Sequence, residues 1–331
     1  MVLKDLLLII DQKCKALDDH RPFTPEFFKN IEAWFRIELT YTSNAIEGNT
    51  LTRQETALVV EKGLTVAGKT LVEQLEAVNH ARAFDFIATL CDHSRNEIAE
   101  KTLLDIHAII LHGIDDNNAG VYRRVPVRIS GSTVVMPNPL KISALMQELM
   151  QWLHGNLTLH PATIAADAHL NFVSIHPFVD GNGRAGRLLM DLLLMQTKLP
   201  PALIRKEDRL EYIKSIESAQ LGRGAEKYYH VIYTAIIRSL DEMLQMLEGE
   251  APPASPALDK LLKIGALAMA TGETTATIRH WTKEGLLREN RLSQGGYHLY
   301  APEAILQIEE IRRLQKEERL TLAELKVRFK L

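Results

Sequence analysis

Residues 176–187 read His176-Pro177-Phe178-Val179-Asp180-Gly181-Asn182-Gly183-Arg184-Ala185-Gly186-Arg187. The apolar run that follows predicts a helix over 184–198, so the Gly-Asn-Gly loop would lie at a helix N-terminus. Free N–H groups and the helix dipole attract anions there, and the glycines let the backbone approach a ligand closely. The stretch therefore predicts a phosphate-binding loop.

The side chains of this stretch suit chemistry at phosphorus. Arg184 and Arg187 are three residues apart, so both would project from the first helical turn, where each guanidinium can donate two hydrogen bonds to a phosphate. Asp180 is a candidate ligand for Mg²⁺, which binds carboxylates together with substrate phosphates, and His176 can accept a proton near neutral pH. A Gly-Asn-Gly segment alone is an ordinary turn. With these side chains beside it, the loop predicts phosphoryl or nucleotidyl transfer.

The same stretch resembles the signature of the Fic family, His-x-Phe-x-Asp/Glu-Gly-Asn-Gly-Arg-x-x-Arg, at every fixed position. The resemblance implies a protein adenylyltransferase, which moves AMP from ATP onto a protein hydroxyl. It also implies that His176 deprotonates a Ser, Thr or Tyr of the target, and that Asp180 holds Mg²⁺ between the α- and β-phosphates. The implied phosphate ligands are Gly181, Asn182, Gly183 and Arg184, with Arg187 at the γ-phosphate.

Length and composition leave room for more than one domain. The chain has 331 residues, of which 46% are hydrophobic and 24% charged, and a net charge of −3. These values are ordinary for a soluble globular protein and give no overall attraction to nucleic acid or acidic lipid. Cys14 and Cys91 have neither metal-site nor disulfide spacing, which fits a reducing cytoplasm. The apolar start Val2–Ile10 predicts an amphipathic helix rather than a signal peptide, and no apolar run reaches the roughly 18 residues of a membrane span.

A proline-rich segment, 249–257, predicts a linker between a long helical body and a shorter C-terminal region. From Leu258 onward there are 13 Lys and Arg against 10 Asp and Glu, a balance of +3, which leaves −6 for the body. In the body, apolar residues at three- and four-residue spacing predict helices over Pro25–Thr42, Thr52–Lys62, Leu71–Cys91, Ala99–His112, Lys141–His154, Ala162–Ser174, Arg184–Lys198, Glu207–Leu221 and Glu226–Leu247.

One stretch of the body alternates instead. Val125–Met136 is rich in valine and centred on Gly131-Ser132, which predicts a β-hairpin. Such a hairpin on a helical body is either decoration or a flap whose free edge pairs with an extended substrate segment. The Fic resemblance favours a flap that docks the target, as does the lead-in Gly120-Val121-Tyr122-Arg123, and its docking residues would be Val127, Ile129 and Val134.

The segment Ser43-Asn44-Ala45-Ile46-Glu47-Gly48-Asn49 looks like a helix end with Gly48 as its stop. On its own Glu47 would be a solvated carboxylate, slightly unfavourable at a helix C-terminus. The segment also resembles the family's inhibitory motif Ser/Thr-x-x-x-Glu-Gly/Asn, through Ser43, Glu47 and Gly48, in the position of the intramolecular class. The resemblance implies that Glu47 pairs with Arg187 and misplaces the nucleotide phosphates. In some relatives the equivalent glutamate supports removal of AMP, so that activity stays open.

Residues 264–287 predict a helix, a turn at Gly272, a second helix and a glycine stop, which is the layout of a helix-turn-helix. A small helical interaction module is the alternative. A basic turn with aromatic residues follows at 288–300 and could form a wing. The side chains that could reach DNA base edges or phosphates are Thr275, Thr277, Arg279, His280, Lys283, Arg288 and Arg291.

The C-terminal region resembles the winged helix of MerR-type regulators. His298 stands where such domains usually have an arginine, and the long dimerisation helix and sensor cysteines of those regulators are missing before Leu331. A homodimer would therefore use the Fic body. The predicted fold is mainly α: a Fic-type helical bundle with a short β-hairpin flap, followed by a winged helix-turn-helix. The predicted boundaries are 1–98 for the N-terminal helical region with the inhibitory helix, 99–248 for the Fic core, 249–257 for the linker and 258–331 for the winged helix.

The predicted function is an autoinhibited protein adenylyltransferase that uses ATP and Mg²⁺, with a target protein and DNA as partners and no membrane. Two other interpretations stay open. One is a DNA-binding transcription regulator whose Fic body senses a nucleotide or partner, although a sensor need not keep a general base such as His176. The other is transfer of UMP, phosphate or phosphocholine on the same motif.

Overall fold

The computed structural model describes residues 2–129, 131–155, 158–249, 262–271, 273–287, 291–292, 298–300, 304–317, 320 and 322–328. The chain divides into two compact units, residues 1–250 and 251–331. The predicted linker lies outside the described residues apart from Gly249, and so do Gly272 and Arg288.

The first unit is helical, as predicted. Its helices are α1 (Leu3–Asp18), α2 (Pro25–Glu47), α3 (Arg53–Lys62), α4 (Leu71–Ala88), α5 (Glu100–Leu111), α6 (Ile142–His154), α7 (Pro161–Ile175), α8 (Asn182–Gln196), α9 (Arg209–Gln220) and α10 (Glu226–Leu247). Thr24, Thr52 and Thr70 begin α2, α3 and α4 by accepting a hydrogen bond from a first-turn N–H. Gly48 ends α2 in the left-handed conformation, with φ 104°.

Helix α8 lies at the centre of this unit. Every residue from 184 to 194 is buried, so the helix is enclosed on all sides, and α2, α4, α5 and α7 pack against it. Gly186 permits the close approach of α7, because a Cβ there would lie 2.9 Å from Val173 Cγ1. The phosphate-loop candidate therefore begins a helix that the rest of the unit holds in place.

The predicted β-hairpin is wrong, because the described residues within Val125–Met136 form no β-strand. Pro126 has no N–H to donate to a strand partner. At the turn, Glu217 of α9 accepts hydrogen bonds from the Ser132 hydroxyl (2.9 Å) and the Thr133 N–H (3.0 Å). This flap, the described residues within 125–136, is a loop whose turn is held by α9.

The second unit contains α11 (Ile264–Thr271), α12 (Thr275–Lys283), α13 (Ala304–Glu317) and α14 (Leu322–Arg328), with β1 (Leu262–Lys263), β2 (Arg291–Leu292) and β3 (His298–Tyr300). The strands form an antiparallel sheet in the order β1-β3-β2. The buried core of the second unit includes Leu267, Ile278, Trp281 and Tyr300. The two helices of the predicted helix-turn-helix, α11 and α12, and the paired strands of a wing, β2 and β3, are present as predicted.

Candidate active site

The phosphate-loop candidate is closed by its own asparagine. The Asn182 side-chain oxygen accepts from the Phe178 N–H and its amide donates to the Phe178 carbonyl, both at 2.9 Å. His176 has φ 51° and Gly181 has φ 75°, so both adopt the left-handed conformation that turns the chain from α7 into α8. Because its side chain closes the loop, Asn182 offers a ligand its backbone N–H at the start of α8.

A buried histidine that the sequence analysis did not select braces the same loop. His107 of α5 stacks on Phe178, with ring centroids 3.5 Å apart and an interplanar angle of 3°. The Gly120 N–H donates to His107 Nδ1 (2.9 Å), so Nε2 carries the proton and donates to the Asp180 carbonyl (2.9 Å). Burial lowers the pKa of His107 to about 4, which keeps the ring neutral in this role.

His176 is oriented through its own backbone and that of its neighbours. Arg123 Nε donates to the His176 carbonyl (2.7 Å), and the Arg123 N–H donates to the Pro177 carbonyl (2.9 Å). The Nδ1 atom of His176 lies 3.4 Å from the Val173 carbonyl, which can only accept, so the geometry places the ring proton on Nδ1 and leaves Nε2 free. Burial lowers the pKa of His176, so the imidazole is neutral at pH 7.

Arg187 is held by the end of α2. Its Nε donates to Ser43 Oγ (2.9 Å), and its Nη2 donates to the Ser43 carbonyl (3.0 Å) and to Glu47 Oε1 (2.6 Å). Burial is the largest influence on the pKa of Arg187 and lowers it, but the influences of Glu47 and Tyr212 together outweigh burial and raise the pKa, so the guanidinium stays charged. The Glu47 carboxylate also lies against Gly183, where any Cβ would collide with it.

Arg184 makes a second ion pair at the start of α8. Its Nη1 donates to Glu76 of α4 (2.8 Å), and its Nη2 lies 3.4 Å from the Asp180 carboxylate. Glu76 also accepts from Asn49, just beyond α2, at 2.9 Å. The Asp180 side chain is 72% exposed, so its oxygens are accessible to a cation. No group of three or more His, Cys, Asp and Glu in the described part of the chain forms a metal cluster.

The structure thus brings the predicted catalytic, phosphate-binding and inhibitory residues together around the N-terminus of α8. The three flap residues are half-buried: Val127, Ile129 and Val134. Three residues that brace the site are not indicated by any role in the sequence motifs: His107, Arg123 and Glu76. Only Arg123 had a signal, as part of the Gly120–Arg123 lead-in.

Residues 97–194 match the family model described as "Fic/DOC family", and residues 262–330 match the one described as "MerR HTH family regulatory protein". The Fic/DOC match thus covers α5 to α8 almost entirely, the part of the chain that holds the loop. Its relatives include the "Protein adenylyltransferase Fic" of Drosophila grimshawi, 39% identical over 194 residues, which are 58% of this chain and 39% of the relative. The protein of that name from Aedes aegypti is 35% identical over 271 residues, which are 81% of this chain and 54% of the relative. The chain therefore spans about half the length of these relatives, or less.

Solved Fic structures share the fold. The Caenorhabditis elegans structure titled Fic-1 (aa134 - 508) superposes with a TM-score of 0.67 and 26% identity, covering 75% of this chain and 72% of that chain. A Fic-domain signaling protein from Bacteroides thetaiotaomicron superposes with a TM-score of 0.69 and 26% identity, covering 75% and 99%. Both support the helical fold described for the first unit.

Outside residues 97–194, α12 carries most of the side chains that were predicted to contact nucleic acid. Arg279, His280 and Lys283 are exposed, whereas Thr275 and Thr277 are half-buried. The Thr277 N–H donates to Thr274, which begins the helix. For Arg291 only the strand position in β2 is described. Among the described residues, no helix is both long and apolar enough to cross a membrane.

Proposed function

We propose that this chain is a protein adenylyltransferase that transfers AMP from ATP to a Ser, Thr or Tyr hydroxyl of a target protein, with Glu47 holding it in a low-activity state. The observation that supports this most directly is the ion pair between Glu47 and Arg187 at 2.6 Å, directly beside the loop that bears His176. In the proposed assignment, 1–98 holds the inhibitory helix, 99–248 is the catalytic core and 258–331 is a separate binding domain, joined through 249–257.

Each residue of the loop has a separate role in the proposed transfer of AMP. The free Nε2 of His176 takes the proton of the target hydroxyl, whose oxygen then attacks the α-phosphorus while the bond to pyrophosphate breaks. The backbone of Gly181, Asn182 and Gly183, together with Arg184, stabilises the charge that develops on the phosphates. Mg²⁺ bound at Asp180 would neutralise charge on the α- and β-phosphates.

Glu47 limits this reaction in two ways. It occupies Arg187, which the proposed mechanism needs for the γ-phosphate, and its carboxylate lies against Gly183, where the phosphates would approach the backbone. Negative phosphate and negative carboxylate compete for the same cation. A nucleotide that binds beside Glu47 is therefore misaligned, and a misplacement of about 1 Å can slow transfer about 100-fold.

The test is transfer of label from α-³²P-ATP to protein by the Glu47→Gly variant. We expect label incorporation at least tenfold above the wild-type chain, because Arg187 is then available to the γ-phosphate. The Glu47→Gly, His176→Ala double variant is the matched control and should transfer none. Equal incorporation by the wild-type and Glu47→Gly proteins would contradict the inhibitory role. If the wild-type chain released label from a modified target and the Glu47→Gly variant did not, the result would favour the AMP-removing activity.

A second proposed function, supported by the exposed cationic face of α12, is DNA binding by the second unit. Arg279 and Lys283 are exposed and one helical turn apart. The probe is a DNA duplex selected for binding to the unmodified chain. We expect the double variant Arg279→Ala, Lys283→Ala to bind this duplex at least tenfold more weakly in a fluorescence-anisotropy titration. The Arg328→Ala variant, on α14, is the control for loss of an exposed arginine. The proposed homodimer would form through the first unit.

A further inference from the structure

The two ends of the flap are joined by one buried arginine. The described residues of the flap form no β-strand, so its position is set by other contacts. Arg123 lies two residues before the flap residue Pro126 in the sequence region that leads into it and is only 3% exposed. Its Nη1 donates to the carbonyl of Val125, the first flap residue (3.1 Å), and its Nη2 donates to the carbonyl of Pro137, which follows the last one (2.7 Å). A single guanidinium therefore ties the base of the flap together.

The same guanidinium also binds the loop of the candidate active site. Arg123 Nε donates to the His176 carbonyl (2.7 Å), and the backbone N–H of Arg123 donates to the Pro177 carbonyl (2.9 Å). A guanidinium is planar and its donors have a fixed geometry, so the three carbonyls that it binds are held at fixed separations. Arg123 thus sets the distance between the base of the flap and the residue that carries the proposed general base.

The turn of the flap is held by a second side chain, from a different part of the sequence. One carboxylate oxygen of Glu217, on α9, accepts from the Ser132 hydroxyl (2.9 Å), the Thr133 N–H (3.0 Å) and the Thr133 hydroxyl (3.3 Å). Hydrogen bonds to an ionised group are stronger than those between neutral groups. The flap is therefore anchored at its base by Arg123 and at its turn by Glu217.

We propose that Arg123 and Glu217 are positioning residues that hold the flap at one distance from His176, so that a protein segment docked on the flap presents its hydroxyl to Nε2. The inference rests on the proposed function, in which a protein hydroxyl reaches His176, and it takes the flap as the docking edge. Neither anchor belongs to the proposed ligands of the nucleotide. Loss of either one should therefore slow transfer to protein and leave nucleotide binding nearly unchanged.

Two measurements on the full Glu47→Gly chain test this: incorporation of label from α-³²P-ATP into a lysate of soluble protein, and calorimetric titration with α,β-methylene-ATP. Adding Arg123→Met should slow incorporation at least about tenfold, because a misplacement of about 1 Å can cost about 100-fold, and should leave the affinity within about twofold. Arg123→Lys should not restore the rate, since one ammonium cannot bridge three carbonyls. Glu217→Ala should slow incorporation less, because the base of the flap stays joined. It changes only a partly exposed side chain, so it provides the test if Arg123→Met does not fold.

The matched control is Arg238→Met, which removes a partly buried arginine on α10 that donates to the Leu203 carbonyl (2.7 Å). It should leave both the rate of incorporation and the affinity within about twofold. A merely structural role for the anchors predicts that both quantities fall together, because the loop that carries the base also holds the phosphates. That result, or unchanged incorporation in either folded anchor variant, would overturn the inference. A Glu47→Gly parent that labelled no protein would instead contradict the proposed function, and the parent is measured before either anchor is changed.

Discussion

At the scale of single residues, the two partners of the Glu47–Arg187 ion pair differ in exposure. The Arg187 side chain is 6% exposed and that of Glu47 is 37% exposed. If Glu47 moves away, Arg187 keeps the two Ser43 acceptors at 2.9 and 3.0 Å, so the buried cation is not left without partners. Because removing one partner of a buried pair is costly only when the other is left uncompensated, releasing Glu47 should disturb the fold little.

The pH dependence of the proposed reaction is also set by a single residue, His176. Burial is the largest cause of the lowered pKa of His176, and the nearby Glu47 carboxylate partly opposes it. We expect kcat/KM of the Glu47→Gly variant to fall as the pH drops, because protonation removes the base, with a midpoint below 6.5. Rate measurements between pH 5 and 8 would check this. A midpoint above 6.5 would show that His176 is not the group that titrates.

At the scale of elements, the crossing of α7 and α8 depends on Gly186. Replacing Gly186 by Ala should destabilise the first unit by about 1–3 kcal/mol, because the new methyl group meets Val173 in a packed core. Urea unfolding followed by circular dichroism measures this. The matched control is Gly265→Ala in α11, where a Cβ meets no atom of the described residues within 4 Å, so helix propensity alone should make it neutral or stabilising. Equal effects at both sites would contradict the packing argument.

The helices and the flap show what local sequence can and cannot specify. Threonine caps and glycine stops act within one turn, so the helix positions could be predicted from apolar spacing. The flap has the alternation of a hairpin, but its turn is also held by hydrogen bonds to Glu217, which lies 84 residues from Thr133 in the sequence. Pairing with a distant side chain leaves no local signal, and so the hairpin prediction failed.

The residues of the proposed active site show the same contrast between local and distant signals. Residues that belong to one contiguous motif, such as His176 and Arg187, were predicted. His107 and Glu76 were not, because each lies on another helix and supports the motif from 73 and 108 residues away. From the sequence alone, a histidine on the apolar face of α5 cannot be distinguished from an ordinary hydrogen-bonded core histidine. Only the fold places His107 against the loop.

At the scale of the whole molecule, buried neutral histidines make the first unit sensitive to acid. Burial lowers the pKa of both His80 and His169 to about 3, whereas an unfolded histidine titrates near 6.5. Between these values the unfolded chain binds more protons, so the free energy of unfolding falls as the pH drops. The loss at pH 5 is about 2 kcal/mol for each histidine. Urea midpoints at pH 7 and pH 5 would measure it.

The control for this prediction is His80→Gln, which removes one of the buried histidines and should reduce the loss of stability between pH 7 and pH 5 by about 2 kcal/mol. A difference as large as in the unmodified chain would assign the acid sensitivity to other groups. Because the two units are compact separately, the change should appear in the unfolding of the first unit.

Helix α2 ends at the residue that blocks the site, and this position has an energetic consequence. Glu47 is the final helical residue before Gly48, so its carboxylate opposes the helix dipole and lies in the last turn, where helices begin to fray. Fraying of that turn withdraws the carboxylate without unfolding the rest of the helix. The unmodified protein should therefore retain a basal leak of transfer. The ratio of its rate to that of Glu47→Gly would then report the stability of a single helical turn, at about 1.4 kcal/mol for each factor of ten.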